Sequence, residues 1–328
     1  MGWAMKIIIT GGAGFLGRRL TELLLQRSGV ESVVWFDQPA AIEAVGADAP
    51  AGVVPVGGDI TDTAAFAALL DRPDVGVVHL ASVVSGQGEQ DFDLALRVNL
   101  DGTRSVLEAV RQHAPGARLV ATSSIAVYGP GSGAAVTDRM PPRPETTYGM
   151  TKAVLELLIN DYTRKGFLDG RVARIPTVII RPGKPNAAAS SAASAVFREP
   201  LAGRPYAVPV APETRMAVGG AAGVVAGLAD LLELPGEALG SHRTLTFPSV
   251  SVSFAEMLAA LRRRVPAAVL GPVTFEPDPV IQRIMDGWAP STEAPRALEL
   301  GIGRPDELDD ILTDYLRREH PELLKENA

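Results

Sequence analysis

Cysteine is absent from the 328-residue chain, which excludes disulfides, thiolate nucleophiles, iron–sulfur ligation and thiolate zinc sites together. Histidine is scarce: the four, at 79, 113, 242 and 320, include no HExxH spacing, so no structural metal is expected. Excess positive charge is missing as well. A net charge of −7 argues against binding that works by neutralising many phosphates, and nucleic acid is not an expected partner. Long apolar runs are lacking too, since the charge-free stretch 216–229 is Gly/Ala-rich and too short to span a bilayer, and residues 1–10 carry no signal-type apolar core. The expectation is a soluble, cytoplasmic protein with no membrane partner.

The chain does have enough length for two domains and enough apolar content, 46% against 21% charged, for a sizeable core. Short β-branched runs at Lys6–Thr10, Ser32–Phe36, Gly52–Val56, Val75–Leu80 and Arg118–Ser123 predict buried parallel strands. Between them, Phe15–Gln26, Thr61–Leu70 and Phe92–His113 carry apolar residues at helical spacing. A helix from Tyr148 to about Lys165 and a strand over Val172–Ile180 continue the alternation. The fold class that follows is α/β, a doubly wound parallel sheet with a smaller C-terminal lobe. Further on, Ser253–Arg264 and Pro305–Arg318 read as helices of that lobe. The expected division gives residues 1–178 and about 215–250 to the sheet domain, and about 179–214 and 251–328 to a discontinuous substrate-binding lobe.

Strand Lys6–Thr10 runs into Gly11-Gly-Ala-Gly14-Phe15-Leu16-Gly17 and then a helix, the arrangement a dinucleotide pyrophosphate needs. Gly11 permits the turn, Gly14 admits phosphates close to backbone N–H groups, and Gly17 allows close helix packing. Asp37 ends the second strand, where a carboxylate can accept from the adenosine ribose hydroxyls and repel a 2′-phosphate; this favours NAD over NADP. Asp59 and Ile60 follow the third strand, and Asp59 can accept from the adenine amino group or begin the next helix. The small residues after His79, Leu80-Ala81-Ser82, let a cofactor lie across the strand end, while His79 reads as structural.

Tyr148 and Lys152 stand four apart, so on a helix they share one face. With five Tyr and five Lys in the chain, chance supplies about 0.08 such pairs. An ammonium beside the phenol favours phenolate, and the positive nicotinamide ring pushes the same way, making Tyr148 a usable base; Lys152 can also hold the nicotinamide ribose. Ser124 ends the fifth predicted strand on the carboxyl edge and can orient the reacting oxygen.

Together Gly11–Gly17, Asp37, Asp59-Ile60, Asn99, the Ser124–Gly129 segment and Tyr148–Lys152 resemble the extended short-chain dehydrogenase/reductase family, of the NAD-dependent epimerase/dehydratase type. The resemblance covers nearly the whole chain. It implies a Rossmann fold, NAD, catalytic roles for Ser124, Tyr148 and Lys152, a cofactor contact at Asn99, and a homodimer; the apolar faces of Phe92–His113 and Tyr148–Lys165 can pack against the second subunit or simply face their own sheet. The family usually has Asn within the segment aligned with Ile175–Val178; Thr177 stands here, which leaves backbone around Val178 to fix the nicotinamide amide.

Arg181, Lys184 and Asn186 follow the last predicted strand, with Arg198 downstream, and provide cations and polar groups suited to a small carboxylate beside Ser82 and Thr177; Arg215 is a further candidate. A solvated basic turn is the alternative. This segment resembles the sugar-acid oxidising members of the family and implies oxidation of the C2 hydroxyl of D-erythronate or a close four-carbon aldonate. Nucleotide-sugar epimerisation, uronate oxidation and a non-catalytic NAD sensor are the competing readings. A dehydratase usually has an acidic residue beside the serine, whereas Ile125 and Ala126 follow Ser124.

Overall fold

The computed structural model describes residues 5–133, 135–183 and 189–327. Strands β1 (Met5–Thr10), β2 (Val30–Asp37), β3 (Val53–Gly57), β4 (Val75–His79), β5 (Arg118–Ser124) and β6 (Asp169–Ile175) lie within a few residues of the β-branched runs in the sequence. Beyond them come β7 (Thr177–Ile179), β8 (Arg215–Gly220), β9 (Thr244–Thr246) and β10 (Val250–Ser253). The main sheet has the order β9-β6-β5-β4-β1-β2-β3 and is parallel throughout. Chain order reverses between β1 and β4, so the carboxyl ends of those strands open a crevice at the switch point.

Alternation along β1 explains the layering. Ile7 and Ile9 face one side, packed with Val33 and Trp35 of β2 and with helices α1 (Phe15–Leu24) and, described below, Ala221–Glu233. Ile8 faces the other, with Val34, Phe36, Val77 and Leu119, under α2 (Gly102–His113) and α3 (Thr147–Arg164). Both faces of the central strands are therefore buried, which is why they read as continuous apolar runs instead of alternating ones; β3, expected to be buried as well, is the edge strand and has no buried residue, Val54 being exposed. The helix expected over Phe92–His113 is present but carries a wider π-turn at Leu96–Asp101.

A further strand expectation needs correction. Val172–Ile180 is not one strand: Pro176 has no N–H for a ladder, and the chain changes sheets there, β6 pairing with β5 and β9 while β7 pairs with β8. The apolar stretch at 216–229 is a strand followed by a helix: β8 sits between β7 and β10 in a three-stranded sheet, and α5 (Ala221–Glu233) packs beside α1. Its composition reflects burial on most sides.

A separate apolar cluster forms the lobe. Ile179 and Ile180, Met216 and Val218 of β8, α4 (Ala192–Leu201), α6 (Phe254–Arg264), Met285 of α7 (Pro279–Asp286) and α8 (Leu308–Glu319) supply it. Helix α6 opens with a capping box in which Ser253 and Glu256 satisfy each other's backbone N–H groups. Among the described residues no helix is long and apolar enough to cross a membrane, and no group of three or more His, Cys, Asp or Glu is arranged to hold a metal.

Candidate active site

A cavity of about 1260 Å³ lies along the carboxyl ends of β1, β2, β4 and β5 and runs under the lobe. Its inner end is the glycine loop. Gly11 takes φ 72°, open to glycine at little cost, and a Cβ there would come 2.9 Å from the Ala81 nitrogen. At Gly17 a Cβ would lie 2.5 Å from the Gly11 carbonyl oxygen, so the glycine lets α1 fold back onto its own loop. Helix α1 starts at Gly14 with neither a side-chain cap nor an acidic residue in its first turn. Arg18 is the first residue to bond back along the helix, to Gly14, so the N–H groups of Phe15, Leu16 and Gly17 reach the cavity wall without an intrahelical acceptor. These uncapped donors, on a loop that the glycines let fold tightly, fit the pyrophosphate of a dinucleotide.

Asp37 lines the same end, one carboxylate oxygen accepting from Ala13 N–H at 3.1 Å and the other from Gln38 N–H at 2.8 Å. Asp59 is held by the Thr61 backbone N–H and hydroxyl, which keep its carboxyl below the ordinary value; Asp62, not Asp59, caps the next helix. Ile60, Leu80, Ala81, Ser82 and Val178 complete the wall that the sequence marked out. Phe36, Val84 and Arg97 also line it, with no motif to announce them.

Asn99 does not reach the cavity. It is buried behind the wall, its oxygen accepting from Val83 N–H at 2.7 Å and Ser82 Oγ, and its nitrogen donating to Val83 O and Thr151 Oγ1. Thr151 in turn donates to the Tyr148 carbonyl, so Asn99 ties the end of β4 to the helix carrying Tyr148. His79 is structural, as read from the sequence. Its Nδ1 meets Thr10 Oγ1 at 2.7 Å and its Nε2 meets Thr103 Oγ1 at 3.0 Å, and because Thr103 donates to Asn99 O, Nε2 carries the proton. Burial, helped by the charge of Lys152, pushes this imidazole down to about 3.

Ser124, Tyr148 and Lys152 meet in the middle of the cavity. The end of β5 supplies Ser124; α3, capped by Thr146 on the Gly149 N–H, supplies the other two. Lys152 is buried, donates to Thr122 O at 2.9 Å, and holds its Nζ 5.6 Å from the Tyr148 ring centroid. Burial lowers Lys152 to about 8, against the charge of Glu156, and three donors on an ammonium leave two beyond Thr122. Burial raises the Tyr148 phenol, while a hydrogen bond with Ser124 and the charge of Arg181 pull it back. Two cations therefore stand near Tyr148: Arg181, whose charge lowers the phenol, and Lys152 over the ring face.

Ser123 points the other way. It donates to Glu156 at 2.5 Å, and Glu156 is gripped at both oxygens by Arg174, 2.8 and 2.6 Å, which also donates to Tyr128 OH. This buried pair fixes the end of β5 against α3, and with it the approach of Ser124 to Tyr148.

The outer wall combines Thr177, Arg181, Ser190 and Ala217 with Arg283, Ile284, Gly287 and Trp288 from the lobe. Lys184 and Asn186 lie outside the described residues. Arg198 is buried in the lobe, off the cavity, with Nη1 donating to Arg181 O at 2.8 Å. Arg215 is away from the cavity too, engaged with Glu256 and Ser251. Both depart from the sequence expectation because α4 is buried along its whole length, which turns Arg198 inward, and β8 directs Arg215 to the surface.

A family model described as the NAD dependent epimerase/dehydratase family matches residues 7–215. The chain belongs to that family. NAD is its cofactor, and it is an NAD-dependent oxidoreductase. It is 44% identical over 320 residues to the D-erythronate dehydrogenase of Cupriavidus necator, covering 95% of this chain and 98% of that protein. With the D-erythronate dehydrogenase of Haemophilus influenzae the identity is 37%, over 95% and 99%. A crystal structure described as a nucleoside-diphosphate-sugar epimerase from Agrobacterium tumefaciens superposes with a TM-score of 0.86 at 36% identity, covering 97% of this chain and 95% of that one.

Proposed function

We propose that the chain oxidises D-erythronate, or a close four-carbon aldonate, at its C2 hydroxyl to give the 2-oxo acid. The observation that carries this reading is one cavity shared by the glycine cradle, the Ser124–Tyr148–Lys152 set and Arg181, a cation whose charge acts on Tyr148. Likeness to two D-erythronate dehydrogenases along almost the full chain supports the acid as substrate.

Tyr148 takes the C2 hydroxyl proton onto its phenolate oxygen, and Ser124 hydrogen-bonds the same substrate oxygen. NAD, when bound, accepts the hydride that leaves C2. Arg181, drawn out of water at the tyrosine, meets the C1 carboxylate and at the same time eases loss of the phenol proton. Lys152 uses its two remaining donors on the nicotinamide ribose, Asp37 accepts from the adenosine ribose and disfavours a 2′-phosphate, and Asp59 meets the adenine. Thr177 and backbone at Val178 bound the nicotinamide end, with Ser82 across from them.

Separate apolar clusters on the two sides of the cavity support a sheet domain and a lobe, with bounds other than those expected: Met216 and Val218 of β8 pack in the lobe, while Ala294, Ala297 and Ile302 pack with the sheet. A cytoplasmic homodimer belongs to the same reading: Phe92 and Leu157 are 53% and 71% exposed on the two helical segments that can meet a second subunit. Light scattering at working concentration tests it, and a monomer would reject it.

The decisive assay is NADH formation from D-erythronate, D-threonate, L-threonate and uronates, with NADP run in parallel. Selective NAD-dependent oxidation of D-erythronate is the expected result. Silence across the panel with NAD still bound would overturn the reading and point to nucleotide-sugar epimerisation.

A further inference from the structure

Among the described residues four cations line the cavity, and two are engaged with protein groups: Lys152 donates to Thr122 and Arg97 faces Asp59 at 3.9 Å. The Arg181 side chain, given to the C1 carboxylate in the reading above, has no hydrogen-bond or ion-pair partner among the described residues, and a second cation shares its wall. Arg283 pairs with no carboxylate and donates no hydrogen bond among the described residues. Its exposure alone would make it a solvated surface charge, but its helix is fixed. Asp278 caps α7 by accepting from the Val280 and Ile281 N–H groups at 2.8 and 3.0 Å, and Pro279 occupies the first turn. Gln282 accepts from Ala211 N–H at 2.8 Å and donates to Thr214 Oγ1 at 3.0 Å, while Met285 is buried in the lobe core. The turn pinned by these contacts presents Arg283 and Ile284 to the cavity, and Gly287 just beyond it lies against Pro130.

Chain connectivity limits what this arginine can meet. With the C2 hydroxyl at Ser124 and Tyr148, the C1 carboxylate is one bond away and falls to Arg181. The C3 and C4 hydroxyls are the polar groups left, and Arg283 is the remaining cation of the outer wall that holds Arg181. Resting on the reading of the site as an erythronate-oxidising one, we propose that Arg283 is a specificity-determining residue that donates hydrogen bonds to the C3 and C4 hydroxyls. It thereby selects polyhydroxylated four-carbon acids over 2-hydroxy acids with an apolar tail. A guanidinium offers several donors in a fixed fork, which suits two neighbouring hydroxyls better than a lysine point charge does.

The test compares D-erythronate with (R)-2-hydroxybutanoate, which shares its C2 configuration and lacks both distal hydroxyls, in the full chain and in Arg283→Met and Arg283→Lys. The expected result is a fall of about tenfold in the preference for D-erythronate in Arg283→Met, carried by KM with kcat nearly constant, and a smaller fall in Arg283→Lys. Trp288 lines the same wall, so its fluorescence during titration of the NADH-loaded enzyme with D-erythronate should show the same tenfold weakening. An equal loss on both acids would place Arg283 on the shared carboxylate and overturn the proposal, as would an unchanged preference. A parent enzyme that oxidises neither acid would overturn the functional reading as well, which separates the two failures.

Discussion

The cradle assigned to the pyrophosphate takes Gly11, Gly14, Phe15, Leu16 and Gly17 from one strand–turn–helix, whereas the wall assigned to the acid assembles Ser124, Tyr148, Thr177, Arg181 and Arg283 from four separate segments. At the first end the chemistry is backbone: N–H groups at a helix start, on a loop that the glycines let fold tightly. At the second it is side chains, each aimed by packing elsewhere, as Ser124 is by the Ser123–Glu156–Arg174 network and Arg283 by Gln282 and Met285. A local motif can be read in a few consecutive letters. A convergent wall cannot, and it is also the part free to change substrate without disturbing the cofactor.

If the two ends are independent, each should fail on its own substrate. Tyr148→Phe stands where they meet and should have the largest effect, a fall in turnover of about 10³-fold with NAD binding retained; an unchanged rate would remove Tyr148 from the chemistry. Gly17→Ala forces a Cβ toward the Gly11 carbonyl and should weaken NAD about 10²-fold, with the KM for the acid nearly unchanged. Should both constants rise together, the ends are coupled and the comparison breaks. Arg181→Met should do the converse, raising the KM for the acid about 30-fold while NAD affinity holds, with kcat falling because Tyr148 loses one of its two cations.

The smallest expected effect concerns the wall between the two ends. His79 is held neutral, its imidazole at about 3 against 6.5 in the unfolded chain, mainly by burial. Below pH 6.5 the unfolded state therefore takes a proton that the folded state refuses, and the stability is lost progressively as pH falls from 6.5 toward 3. Between pH 6.5 and 5 this amounts to about 2 kcal/mol. Urea titrations at the two pH values should show a shallower loss in His79→Gln than in the parent; equal slopes would mean the imidazole is not the group responsible.

Much of this was legible in the letters, for reasons that differ by element. Strands β1, β2, β4 and β5 were visible because both faces are largely buried and the apolar runs are continuous, and the edge strand β3 because its valines still form such a run. The glycine loop was visible because no other residue fits its geometry, and Tyr148 with Lys152 because four-residue spacing on a helix fixes a shared face. Less was legible where a residue's environment comes from distant chain. Arg198 and Arg181 look alike as letters, yet the first is sealed inside α4 and the second opens onto the cavity. Asn99, expected at the cofactor, is instead used up on Val83, Ser82 and Thr151. For α7 the signal was present in Asp278-Pro279, a cap followed by a first-turn proline, but nothing local said that its next turn faces the same cavity as Tyr148.

Composition and neighbours along the chain set helix and strand periodicity, the positive φ that glycine tolerates cheaply in the Gly11 turn, and the absence of thiol chemistry. Folding alone brings Arg181 and Arg283 to the cavity that holds Tyr148 and sends β7 to pair with β8. Charge, burial and hydrogen bonding act through space over a few ångströms. Residues far apart in the chain reach that range only after the hydrophobic clusters have closed around them.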